Sequence, residues 1–416
     1  MALFLFLCSL VVFASFALMP VARRAGAPFL LLALVIGMLL GEDGPGGIQF
    51  SNFGLAFELG SIALAVILFA GGLEAERSVF RSAGAAATSL ATFGVLITAG
   101  VTGLAATFIL GLPWMQGLLL GAAVASTDAA ATFLLVQQSG IDLRKRLKDT
   151  LMLESGINDP MAIFLTVSLT TLVAAQFAGE TQGLSGFLLF LAQQAGLGLL
   201  VGLAGGRLLA WLTDRLALPM GTYPALTLTG ALAIYSGTSL LGGSGFLAAY
   251  LAGFMLKAYL RRPIDRIEDF NEAFQWLCQM VLFLMLGLLV TPSALLKEFW
   301  PAIACAGVLM LVARPLAVFA SVGWMGFSFK ENVFLSWVGL RGAVPVLLAI
   351  YPVIAPGPVT VGFFNVVFVI VTVSLVTQGW TIGTAARWLK LVNDPAPLAS
   401  PPVPDETQLE TGGAIR

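Results

Sequence analysis

Leu153-Glu154-Ser155-Gly156-Ile157-Asn158-Asp159-Pro160 lies inside an apolar run that extends from about residue 147 to residue 176. A run of that length and composition crosses a bilayer, yet this one carries two carboxylates, a hydroxyl and an amide. On a helix Glu154 stands one turn from Asn158 and Ser155 one turn from Asp159, so the four polar groups form two adjacent columns on one face. An ionisable group at membrane depth is costly, so it faces the inside of a bundle and reads as functional. The competing reading is a loop between two helices, broken at Gly156 and Pro160. The apolar sequence that continues from Met161 to Ala175 favours a single span, because proline is tolerated in a membrane helix when neighbours re-satisfy the freed backbone groups.

The rest of the chain has the same character. Its 416 residues are 58% hydrophobic and 10% charged, against about 25% charged in a soluble domain. Lipid is therefore the solvent for most of it. The net charge of −1 and the absence of a basic stripe exclude a nucleic-acid partner. Cys8, Cys278 and Cys305 are far apart in apolar surroundings, which suits packing better than a disulfide or metal site. No cofactor is expected. Histidine is absent, so proton chemistry near neutral pH must run on carboxylates.

Apolar runs predict an all-α polytopic membrane protein with thirteen spans: 2–22, 28–42, 54–75, 84–111, 114–138, 147–176, 184–212, 219–240, 243–260, 270–291, 299–324, 330–352 and 360–386. The second is short, and its end is placed in the Glu42–Gly47 turn. The first lacks a basic leader and a small-residue cleavage pattern, so it reads as a retained span and not as a signal peptide. Arg23-Arg24, Arg77 with Arg81, Arg144 to Lys148, Arg215, Arg261 to Arg266, Lys330 and Arg387 with Lys390 fall in alternate loops. By the positive-inside rule the N-terminus lies outside and the C-terminus in the cytoplasm. Residues 1–391 thus form the transmembrane part. The Pro-rich stretch 392–416 cannot bury a core and reads as a disordered cytoplasmic tail.

Two further spans are interrupted. The fifth holds Ser126-Thr127-Asp128-Ala-Ala-Ala131, and the twelfth holds Gly339-Leu-Arg341-Gly342-Ala-Val-Pro345. They occupy corresponding places in two six-span units related by inversion about a linking seventh span. Paired interrupted helices are the best sequence pointer to a transport site. The deeply placed ionisable groups are then Asp128, Glu154, Asp159, Arg314 and Arg341, with Arg207 and Glu74 at the margins. Buried charges pair or neutralise; we expect Glu154 to be the fixed partner of Arg341, Asn158 to orient its neighbours, and Arg314 to close helix ends or meet lipid headgroups. Asp128 and Asp159 lack an evident permanent partner. On such a carboxylate a proton and a cation compete for the same oxygens.

These motifs, Thr127-Asp128, Glu154 to Pro160, Arg314-Pro315 and Gly339 to Pro345, resemble in that order the monovalent cation/proton antiporter-1 family, with the bacterial NhaP-type potassium/proton antiporters as the nearest likeness. The resemblance runs from about Ala14 to Arg387. It implies thirteen helices, with unwound helices five and twelve crossing, in a homodimer that works by an elevator motion in the bacterial inner membrane. It implies a cation site at Thr127 (backbone carbonyl), Asp128, Ser155 and Asp159, with Asp128 and Asp159 also carrying the proton. It implies a buried brace of Glu154, Asn158 and Arg341, and, from the Asn158-Asp159 pair, electroneutral one-for-one exchange of K⁺ foremost, or Na⁺, for H⁺. Two departures stand out. Relatives often carry Asp before the glycine pair of the third span, where this chain has Ala70, with Glu74 one turn on. Many also append a cytosolic domain after the last span. A cation channel is the first rival, but no filter-like repeat is present. An intramembrane hydrolase is the second; without histidine it would need a Ser-Lys or paired-aspartate scheme, and neither aspartate has the flanking residues for it. The chain reads as a transporter and not as an enzyme.

Overall fold

The computed structural model describes residues 2–18, 20, 29–75, 77–138, 140–179 and 184–392. Among these the chain folds into helices, and the one β feature is an isolated antiparallel bridge between Leu143 and Val392. Thirteen segments follow one another: Ala2–Ala17, Phe29–Leu40, Phe53–Glu74, 77–110, 114–138, Lys145–Phe177, Leu184–Arg215, 220–240, Gly245–Tyr259, Asp265–Leu289, Pro292–Val322, 329–354 and Val361–Trp388. Seven of the helices among the described residues are long and apolar enough to cross a membrane uninterrupted. Segments five and twelve are each split in two.

The helices outrun the apolar runs where charge begins them. Segment four starts at Arg77, segment ten at Asp265 and segment eleven at Pro292, because a helix continues past the hydrocarbon into the interface while hydropathy stops at its edge. The second segment does not reach the Glu42–Gly47 turn. Its helix ends at Leu40, and Gly44 and Gly46 fold back so closely on Leu39 and Leu40 that a Cβ at Gly44 would lie 2.1 Å from the Leu39 carbonyl. The tail 393–416, Arg23 and Arg24 lie outside the described residues, as does the side chain of Cys8. Cys305 is buried and Cys278 half-buried, and both are free thiols.

Segments four, five, six, eleven, twelve and thirteen pack on one another, and segments two, three, seven, eight, nine and ten form a second group. Small residues set the second group's spacing. Gly72 faces the Tyr250 carbonyl and Gly253 faces the Phe69 carbonyl, where a Cβ would come within 2.1 and 2.2 Å. Segments three and nine therefore touch backbone to backbone, as membrane helices do when van der Waals packing replaces the hydrophobic drive. In the first group, segments four and eleven each contain one π turn, Leu90–Gly94 and Leu309–Ala313. The hydroxyl of Ser89 donates to the Ser321 carbonyl at 2.9 Å and ties these two segments together.

Candidate functional site

Residues 153–160 are one continuous helix: Lys145–Phe177 runs through Pro160 without a break, which settles the loop alternative. Pro160 has no N–H for the Gly156 carbonyl, so that turn loses its ladder bond. Gly156 itself faces Tyr250, whose ring would lie 2.7 Å from any added Cβ. Asp159 stands 14 residues beyond Lys145, about 21 Å along the axis and so near the middle of the bilayer.

Segment five stops being helical at Val124 and resumes at Ala129; segment twelve stops at Val338 and resumes at Ala343. The two unwound stretches cross, and each satisfies the other's backbone. Asp128 N–H donates to the Leu340 carbonyl at 2.8 Å. The Arg341 guanidinium, 1% exposed, donates to the carbonyls of Ala125 and Ser126 at 2.6 and 2.5 Å. It thereby sits at the negative end of the half-helix Trp114–Ala123, where a cation is favoured. Asp128 occupies the opposite kind of end. One of its carboxylate oxygens accepts from Ala131 N–H at 3.0 Å and caps the half-helix Ala129–Gln138. Its other oxygen lies against Gly342, where a Cβ would come within 2.1 Å. Only glycine admits that approach.

Segment six completes the arrangement from one side. The Asn158 amide donates to Thr127 Oγ1 at 2.6 Å and accepts from Thr127 N–H at 3.5 Å. Ser155 Oγ donates to the Thr127 carbonyl, and Ser126 Oγ donates to Asp159. Segment thirteen completes it from the other: Ser374 Oγ accepts from Arg341 N–H at 3.2 Å and donates to Gln378 at 2.5 Å, while Gln378 donates to the Trp337 carbonyl at 2.8 Å. Thr127, Asp128, Ser155 and Asp159 are thus brought together. Asn158 and Arg341 both hold the unwound stretch 125–127.

Glu154 does something else. It pairs with Arg314 at 2.6 Å and not with Arg341, both partners being nearly inaccessible. Arg314 also donates to the Leu335 carbonyl at 3.4 Å and lies against Gly339, where a Cβ would meet its Nε at 2.9 Å. The expected Glu154–Arg341 pair fails because the carbonyls of 125 and 126, freed by unwinding, present Arg341 with a nearer acceptor set. Arg314 takes the carboxylate and closes the end of the half-helix Phe329–Trp337. Sequence reasoning also passed over Ser126, Ser374 and Gln378. The last two stand one turn apart in an apolar run, the same signal that picked out segment six.

Asp128, Ser155 and Asp159 line a cavity of about 260 Å³ together with Glu74, Lys148, Tyr250, Glu272, Gln275 and Gln279. It lies between the two groups of segments and opens where segments three and nine end and segments six and ten begin. Glu74 is exposed near its mouth and also lines a neighbouring cavity of about 310 Å³ with Ala70, Lys257, Glu268 and Glu272. Lys257 and Glu268 pair across that second cavity at 2.8 Å. Ala70 and Glu74, one helical turn apart, thus line the same vestibule.

The sequence model of the transmembrane sodium/hydrogen exchanger matches residues 11–388. The chain belongs to this family. The chain is 49% identical over 371 residues to a K⁺/H⁺ antiporter NhaP of Alkalimonas amylolytica, covering 89% of itself and 64% of that protein. It is 46% identical over 382 residues to a K⁺/H⁺ antiporter NhaP2 of a Shewanella species, covering 92% of itself and 66% of that relative. It therefore spans about two thirds of the length of the curated relatives it matches. Its fold superposes on the sodium proton antiporter MjNhaP1 of Methanocaldococcus jannaschii, solved at pH 8, with a TM-score of 0.81, covering 95% of this chain and 100% of that one at 25% identity.

Proposed function

We propose that this exchanger trades a monovalent cation, K⁺ or Na⁺, for a proton by alternating access. The observation that carries the proposal is the floor of the central cavity. There two carboxylates stand at the crossing of two unwound helices, beside the Thr127 carbonyl and the Ser155 hydroxyl. Hard oxygen donors suit alkali ions. Ionised, Asp159 and Asp128 are ligands; a proton and a cation compete for the same oxygens, so one of them takes a proton as the cation leaves. Asn158 and Arg341 keep the unwound backbone in place, and Glu154 with Arg314 anchors the neighbouring half-helix. The relatives named for K⁺/H⁺ antiport favour K⁺ as cargo.

The direction of opening follows from charge. The cavity mouth lies at the end of the bundle that carries Arg144 to Lys148 and Arg261 to Arg266, which the positive-inside rule assigns to the cytoplasm. Grouping of segments four to six and eleven to thirteen around the crossing supports an elevator motion of that unit against the other, within a homodimer in the bacterial inner membrane.

Proteoliposome exchange read with an interior pH dye tests this. Pulses of K⁺ and Na⁺ should drive saturable proton movement. With the potential clamped by an ionophore for a non-transported ion, the rate should stay flat, because a net carried charge would gain about 2.3 kcal/mol per 100 mV. Cation flux that never saturates and moves no protons would make the protein a channel. A steep voltage dependence would overturn one-for-one exchange and make Asp128 a second proton carrier.

A further inference from the structure

Segment ten, from the other group of segments, lines the central cavity together with Asp128 and Asp159, and it carries a column of amides. Asn271, Gln275 and Gln279 recur every four residues, so they stack along one face. Their side chains are 1%, 6% and 4% exposed, and the side-chain carbonyl of each has no hydrogen-bond partner among the described residues. A buried carbonyl oxygen left without a donor is costly and calls for an explanation. Gln275 and Gln279 line the central cavity, and Asn271 and Gln275 line its neighbour. Gln279 stands 14 residues past Asp265, the same count that separates Asp159 from Lys145. Since segments six and ten both start at the cavity mouth, Gln279 lies at about the depth of Asp159, some 21 Å in.

We propose that Gln275 and Gln279, with Asn271 nearer the mouth, form a staging site for a partly dehydrated alkali cation on segment ten's wall of the central cavity. Neutral carbonyl dipoles replace hydration oxygens without holding the ion as tightly as a carboxylate, the arrangement that lets an ion enter and still leave. Glu272, one residue from Asn271 and shared by both cavities, supplies the attracting charge. The column belongs to the other group of segments, so it stays put when the crossing moves. An ion passes from the fixed amides to Asp159 and Asp128 on the moving unit. This inference rests on the exchange reading of those two aspartates.

Thallium(I), a monovalent ion of potassium's size, can be located by its anomalous scattering in crystals of the wild type and of a variant carrying Asp128→Asn with Asp159→Asn. Density beside Gln275 and Gln279 is expected in both, whereas density at the aspartates is expected in the wild type only. No density beside the amides in either crystal would mean that they hold water and would overturn the staging site. In transport, Gln275→Met and Gln279→Met keep length and burial but delete the carbonyl. Each should raise the half-saturating cation concentration about tenfold while the maximal rate falls less than twofold, with Gln→Asn at the same positions partly restoring affinity. Unchanged half-saturation in methionine variants that melt like the wild type in detergent would also overturn it. Failure of the exchange reading looks different: the wild type would move no protons, while thallium beside the amides would still report the column.

Discussion

The break at 124–128 and the break at 338–342 are equal in length and opposite in charge. The first brings Asp128 to the cavity, and its Ser126 and Thr127 bond to Asp159 and Ser155, which line it as well. The second presents Arg341, and sends it away from the cavity into the carbonyls of the first. On the proposed exchange, one break meets the ion and the other holds its partner still. The difference lies in which charged groups each brings to the crossing. Around the crossing stand three carboxylates, Asp128, Glu154 and Asp159, and two guanidiniums, Arg314 and Arg341. Glu154 is taken by Arg314, and Arg341 is spent on backbone. Asp128 and Asp159 are the carboxylates on the side that faces the cavity.

The largest expected effect breaks the ion-meeting side alone. Asp159→Asn and Asp128→Asn should each lower exchange by roughly 10²-fold or more, with the detergent melting profile kept. An asparagine at 128 can still accept from Ala131 N–H, so capping survives while ionisation is lost. Proton movement at wild-type rate in either variant would remove that residue from the mechanism.

Next in size is the holding side. Glu154→Gln or Arg314→Gln strands a buried charge and should cost about 3–5 kcal/mol of stability, seen as early melting in detergent. The double change should be milder than the worse single one. A cycle of Glu154 with Arg341 should show weaker coupling than a cycle of Glu154 with Arg314; the reverse would mean that Arg341 is the true partner.

A smaller effect sharpens the contact between the two breaks. Gly342→Ala pushes a methyl group into Asp128 and should cost about 1–3 kcal/mol, along with exchange activity. Gly307→Ala, where nothing lies within 4 Å, is the control, and equal losses at both sites would deny the close approach.

The smallest effect lies far from either break. Asp43 accepts from Ser293 N–H at 2.7 Å in the first turn of segment eleven. Hydrogen bonding from Ser293 holds its carboxyl below the ordinary value of 3.8. A depressed folded-state pKa means the contribution is full above the unfolded value and is lost as pH falls through the folded one. Asp43→Ala should therefore melt slightly earlier than wild type at pH 7, and the gap should close as the medium is taken well below pH 4. A gap that persists under acid would show that packing and not the charge is responsible.

Much of this was legible in the residues. Thirteen apolar runs became thirteen segments because the hydrocarbon thickness fixes their length, and Gly339, Gly342 and the Thr127-Asp128 pair marked the breaks. The polar columns of segment six pointed at the crossing because helical spacing alone aligns Ser155 with Asp159. The pairing of Glu154 was not legible. It depends on which acceptors unwinding exposes, and the carbonyls of Ala125 and Ser126 look the same in sequence whether or not they are bonded along a helix. Gln275 and Gln279 were invisible for a related reason: two uncharged amides in an apolar run carry little weight until a cavity is seen to reach them.

The π turns in segments four and eleven have a consequence for tolerance to length change. A π turn holds one more residue than the α turn it replaces, so each of these segments stores a phase offset of about 100°. Every side chain from Val95 to Leu110 is aimed by that surplus, including Ala99, whose carbonyl lies where a Cβ on Gly121 would come within 2.0 Å. Loss of a single residue between Leu90 and Gly94 would restore regular winding there and swing the whole face that supports segment five. Segment eleven carries the same surplus at Leu309–Ala313, directly ahead of Arg314. The aim of the guanidinium that meets Glu154 is thus set by counting, one residue at a time, and not by the chemistry of the turn before it.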